Sequence, residues 1–240
     1  MPLTITSLDP TLPTVLAEPF GVGELRTPRS DPAAELDRQV EVYVALGVAG
    51  LLGLTGPELH DAVAPLRAAL PTTDAPVGAA DPTDHVPFVL VLDHDPNDAA
   101  PAMRRGPRSG VSVIDRDEAR TYLPIAGASP PAGPAYLLTD VDTGSEFCGV
   151  RPSEALTAIH ARGRTPLTMA EGVALTIVRP DMLRPNRCYS LLASRAGNQR
   201  VPAVWISERR PKLGWCWDRN PHTWLGAASA GARVGSPGQQ

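Results

Sequence analysis

Between His85 and Asp93 the chain reads Val86-Pro-Phe-Val-Leu-Val-Leu92, seven residues with no polar side chain. A strand with one wet face alternates apolar and polar residues. A continuous apolar run instead belongs to a strand covered on both faces, so material must lie on each side of it.

The patterning on either side predicts what that material is. Asp31-Pro32 opens a helix with proline in its first turn and a stripe of Leu36, Val40, Tyr43 and Val44, ended by Gly47. Thr55-Gly-Pro-Glu58 has capping-box spacing and opens a second helix through Leu59, Val63, Leu66 and Leu70, stopped by Pro71. Downstream, Val111 to Ile114 and Ala135 to Val141 predict strands, and Pro152 to Ala161 a helix ended by Gly163. A second capping box, Thr168-Met-Ala-Glu171, opens a helix to about Ile177. Arg187 to Ser194 predicts a strand. Pro202 to Ser207 and Lys212 to Trp217, separated by Glu-Arg-Arg-Pro, predict a β-hairpin. No internal repeat is present, and strands and helices do not alternate in a βαβ rhythm.

The expected class is therefore α+β: a mixed sheet with an N-terminal helical hairpin and a C-terminal Trp-rich β-hairpin. The expected organisation is an extended arm over residues 1–30, one domain over 31–228 and a disordered tail over 229–240. Within the domain come the helical hairpin (31–70), a linker (71–85) and a mixed body (86–228).

Of 240 residues, 42% are hydrophobic and 20% charged, the balance of a soluble protein with a core. No run approaches the ~20 apolar residues of a membrane span. The N-terminus lacks the basic and apolar regions of a signal peptide, and three cysteines do not make a disulfide framework. A cytoplasmic protein without membrane contact is expected. Residues 1–150 carry 21 acids and 9 bases, residues 151–240 carry 5 acids and 13 bases. Either the halves pack together and their fields partly cancel, or the basic part attracts an anion. Nucleic acid is disfavoured, because the chain is acidic overall and the bases are scattered. All but one of the 22 basic residues are arginine; the exception is Lys212. Kept against that bias, it reads either as simple chance or as a side chain wanted for its amine.

The most unusual segment lies near the C-terminus. Trp205, Trp215, Trp217 and Trp224 fall within twenty residues, with Cys216, Asp218, Asn220 and His222 among them. Strand alternation puts Trp215 and Trp217 on one face and Cys216 on the other, with Trp205 expected to join the first two across the hairpin. One reading is a second hydrophobic core. The other is an aromatic pocket with polar groups from the following loop, the usual make-up of a small-ligand site. Arg209, Arg210 and Lys212 favour an anion. The candidate ligand-binding set is Arg210, Lys212, Trp215, Trp217, Asp218, Asn220, His222 and Trp224. An enzymatic alternative uses His222 as base with Cys216 or Asp218; a third reading makes the Trp segment the docking point of an assembly subunit. Cys148, Cys188, Cys216 and His222 supply zinc-type ligands, but no Cys-x-x-Cys pair anchors them, and no cofactor follows from the sequence.

An acidic set is also visible. Asp93, Asp115 and Asp140 end predicted strands, and would gather for a magnesium ion if those strands were parallel neighbours. The run Asp140-Val-Asp142-Thr-Gly144 faintly resembles the nucleophile motif of haloacid-dehalogenase-type phosphatases. It departs from it at Gly144 and in lacking the downstream acidic pair, and an aspartate-capped turn accounts for it better.

From about Ala135 onward the chain resembles a family of uncharacterised actinobacterial proteins. The resemblance rests on Tyr136–Asp142, Val150-Arg-Pro, Arg162–Thr168 and Arg200–Ser207, and above all on Pro211-Lys-Leu-Gly-Trp-Cys-Trp217 and Asn220-Pro-His-Thr-Trp-Leu-Gly226. That family is a domain of unknown function, so the resemblance implies no activity, cofactor or catalytic residue. Taken together, the residues point to a binding module for a small anionic ligand or a protein partner.

Overall fold

A computed structural model describes residues 3–4, 16–17, 24–72 and 82–236 of the chain. Most of the expected arm, the middle of the expected linker and residues 237–240 lie outside that range. The fold is α+β. Helix α1 (Pro32–Ala45) is capped by the Asp31 carboxylate, which accepts from Ala34 N. Helix α2 (Gly56–Val63) carries the Thr55–Glu58 capping box and runs on into a 3-10 turn. Strands β1 (His85–Leu92), β2 (Val111–Ser112) and β3 (Ala135–Asp142) follow. Next come α3 (Pro152–Ala161), β4 (Thr165–Pro166) and α4 (Met169–Val178) with its own capping box. The chain continues through β5 (Cys188–Ser190), β6 (Arg200–Ser207), β7 (Arg210–Trp217), β8 (Leu225–Ala227), β9 (Ser229–Ala230) and β10 (Ala232–Val234).

Two sheets result. In one, β3 pairs antiparallel with β1 on one edge and with β9 and β10 on the other, and β9 also pairs β4. In the other, the strand order is β8-β5-β6-β7-β2. Helix α4 packs on β1 of the first sheet and β6 of the second, and all of its residues but Ala170 are buried. A Cβ on Gly172 would come within 2.1 Å of the Leu191 side chain, so this glycine sets how closely α4 approaches its neighbour. As the apolar run implied, β1 is covered on both faces; Val89 to Leu92 have no exposed surface.

The free edge of β1 is closed by side chains rather than by a strand. Gln39 of α1 donates from Nε2 to Phe88 O (3.3 Å) and accepts from Leu90 N at Oε1 (2.7 Å), while Tyr43 donates to Leu90 O (2.6 Å). An unpaired edge invites association with other chains, and here one carboxamide occupies the ladder positions of a missing strand.

Three expectations are corrected. The 229–240 segment was expected to be disordered because it is rich in Gly, Ser and Gln. Residues 229–234 instead form β9 and β10, and Arg233 forms a buried ion pair with Glu171 (2.6 Å). The acidic strand ends do not gather. Strands β1 and β3 are antiparallel, with Leu92 opposite Ala135 and His85 opposite Asp142, which puts Asp93 and Asp140 at opposite ends. Asp115 caps the short helix Arg116–Ala119. Thirdly, the predicted strand from Arg187 to Ser194 is split: Cys188–Ser190 joins the second sheet, and Ser194 begins a separate two-residue pairing with Leu123–Pro124.

The Asp140–Gly144 run is structural. Asp140 faces Pro87, which has no N–H to give the ladder, and Asp140 adopts φ +50°. Its carboxylate takes His85 Nε2 (3.1 Å) and Arg164 Nη1 (2.5 Å), and Arg164 Nε reaches Ser229 Oγ (2.9 Å). Asp142 accepts from Gly144 N (2.7 Å), an aspartate-capped turn.

Candidate functional site

Strands β6 and β7 pair without interruption from Arg200↔Trp217 to Ser207↔Arg210, joined by Glu208 and Arg209. Both turn residues have positive φ, 53° and 62°, the two-residue geometry whose twist matches that of paired strands. This register determines the face of every side chain, because opposite residues share a face and neighbours alternate. Trp215 and Trp217 lie on one side with Arg200 and Pro202. Trp205, opposite Lys212, lies on the other side with Arg210, Gly214 and Cys216. Trp205 therefore does not join Trp215 and Trp217, and the tryptophans form two separate pairs.

The first pair is Trp215 and Trp217, edge to face at 5.0 Å. The Arg200 guanidinium covers Trp215 at 4.1 Å and is itself held by Glu118 (2.6 Å), which also accepts from Tyr122 (3.0 Å). Asp218 is engaged nearby by Arg195 (2.7 Å). The charged groups Arg200, Glu118, Arg195 and Asp218 are thus paired with one another. Trp217 nevertheless remains 48% exposed and Leu123 65%.

On the opposite side, Trp205 and Trp224 meet edge to face at 6.3 Å, and His222 lies 5.1 Å from Trp224. The Trp205 indole rests on Gly214: a Cβ there would stand 2.2 Å from its Cη2. The loop carrying His222 and Trp224 is fastened by backbone bonds, Gly149 N to His222 O (2.8 Å) and Cys188 N to Trp224 O (3.0 Å). Asn220 reaches His222 Nε2 at 3.5 Å. Beside these rings stand Arg210 and Lys212. Among the described residues neither makes a side-chain hydrogen bond or ion pair, and the Arg210 Nε is shut off from solvent without a partner. Many other arginines are matched to carboxylates, among them Arg38 to Glu35, Arg116 to Asp98, Arg162 to Glu146 and Arg195 to Asp218.

The register brings Arg210, Lys212, His222 and Trp224 to this face with Trp205, and leaves Trp215 and Trp217 on the other. Sequence reasoning placed Trp205 wrongly; counting outward from a two-residue Glu208-Arg209 turn sets it opposite Lys212 and would have found the right face.

Cys216 is buried, its pKa is pushed up to about 11 by desolvation, and its contact is with Ser190 Oγ (3.9 Å) rather than a histidine. Burial also raises Cys148 and Cys188. Thiols so shifted carry little thiolate at neutral pH. Among the described residues no group of three or more His, Cys, Asp and Glu side chains is arranged to hold a metal ion, the Cys148, Cys188, Cys216 and His222 set included. No helix among them is long and apolar enough to cross a membrane.

Fold and site thus define an α+β protein built on two sheets about a buried helix, with an aromatic and cationic patch on the outer hairpin. The chain belongs to DUF5701, a family of unknown function, whose model matches residues 42–236. No curated protein and no solved structure matches it.

Proposed function

We propose that this chain is a binding module for a small anionic ligand, taken up on the hairpin face that carries Trp205, Lys212, Arg210, Trp224 and His222. The observation that supports this reading is the pair of cations, Arg210 and Lys212, left without carboxylate partners beside half-buried aromatic rings. An unbalanced, partly desolvated guanidinium is costly unless an anion completes it. A few convergent polar groups over an apolar wall is how small-molecule sites are built. The test is native mass spectrometry of the purified protein, followed by titration with inorganic pyrophosphate read by tryptophan fluorescence. Retained mass or pyrophosphate binding that is lost in Lys212→Ala supports the reading. Failure to bind pyrophosphate below about 1 mM, a weak affinity of ~4 kcal/mol, together with a bare mass, counts against it.

The exposure of Trp217 and Leu123 favours a second reading, a protein partner docked on the opposite face, since exposed tryptophans are frequent hot spots. Concentration-dependent association abolished by Trp217→Ala is its signature.

A further inference from the structure

Resting on the anion-binding reading, we infer that the ligand of this face is a ring-bearing phosphate of the nucleoside monophosphate class. Three features carry the step from anion to that class. Arg210 and Lys212 are two residues apart on one strand and so share a face. Adjacent, unbalanced cations match a group of charge −1.5 to −2, a phosphate, better than a single carboxylate; Arg supplies the fork and Lys the point charge that phosphates take. The nearest carboxylate along the strand, Glu208, sits in the turn beyond Arg210.

The second feature is the floor. Trp205 stands directly across from Lys212, a separation of about 5 Å between Cβ atoms. Because residue 214 is glycine, the indole lies down on the strand and stays half-buried rather than being sealed into the core. Trp224 and then His222 extend the aromatic surface away from the cations. Aromatic platforms beside basic groups hold nucleotides by stacking the base while the charges hold the phosphate. The third feature is contrast: on the opposite face the Trp215 ring is already covered by Arg200, whereas the Trp205–Trp224 side has its cations unspent.

The experiment is a fluorescence titration of the full chain with adenosine monophosphate, adenosine and ribose 5-phosphate. Adenosine monophosphate is expected to bind at least about tenfold tighter than either part alone. Lys212→Ala brings its affinity down to that of adenosine, Trp224→Leu down to that of ribose 5-phosphate, and Trp217→Leu, on the other face, changes neither. Equal binding of adenosine monophosphate and ribose 5-phosphate, both lost in Lys212→Ala, overturns the ring inference while the anion site stands. Binding of none of the three probes or of pyrophosphate removes both readings. Should Trp224→Leu fail to fold, the comparison of the three probes on the unaltered chain still decides.

Discussion

Replacing Arg233 by methionine tests whether the last strands belong to the fold. Glu171 is fully buried in the first turn of α4, and among the described residues Arg233 is its only cationic partner, donating from Nε (2.6 Å) and Nη2 (2.8 Å). Arg233 also donates to Thr165 Oγ1 (2.5 Å) and Pro166 O (2.8 Å), which ties β10 to β4. Tyr136 OH (2.9 Å) and Thr168 N (2.6 Å) would remain on Glu171, but both are neutral donors. Leaving a buried charge without its counter-ion costs about 3–5 kcal/mol, a large share of the ~5–15 kcal/mol that holds a domain folded. For a chain of this size each kcal/mol moves the midpoint by about 2–4 °C, so Arg233→Met should melt roughly 6–20 °C lower. The assay is thermal unfolding by circular dichroism with urea midpoints alongside. Adding Glu171→Met to Arg233→Met should then cost little more, since the uncompensated charge is gone. A loss below about 1 kcal/mol for Arg233→Met, or truncation after residue 228 without effect on melting, refutes the reasoning.

Two further outcomes follow from local geometry. Gly53 and Gly144 have nearly the same φ, 70° and 69°, but a Cβ on Gly53 meets nothing whereas one on Gly144 lies 1.9 Å from Ala227 O. Gly53→Ala should cost about 1–2 kcal/mol, from left-handed strain, and Gly144→Ala clearly more because overpacking adds about 1–3 kcal/mol; equal urea midpoints would refute the distinction. Both ring nitrogens of His94 are shut off from solvent and neither makes a well-formed hydrogen bond; burial holds its pKa below the usual histidine value. The unfolded chain then binds the proton more readily than the folded one. His94 costs no stability above the unfolded pKa of about 6.5 and costs progressively more as pH falls through it, by up to ~1.4 kcal/mol per pH unit. Urea unfolding between pH 7 and 5 should show that slope reduced in His94→Leu, and parallel curves for the two proteins would rule the mechanism out.

Local chemistry made much of the architecture legible. The capping boxes at Thr55 and Thr168, the Asp31-Pro32 helix start and the run from Val86 to Leu92 each act within a few residues, so their signals survive without knowledge of the fold. What went astray depended on pairing. Composition marked residues 229–234 as tail, yet a short segment becomes a strand when a neighbour offers a free edge, as β3 does, and a buried Glu171 awaits Arg233. Aspartates at predicted strand ends look convergent until the strands run antiparallel. The tryptophans show the division most clearly. The sequence by itself determined that four of them, with His222 and the basic residues Arg209, Arg210 and Lys212, would crowd one hairpin and the loop after it. Only the tertiary structure decided which share a face, because a one-residue choice of register in a period-two strand exchanges the two sides. It is the same choice that set Trp215 under Arg200 and left Trp205 beside Lys212.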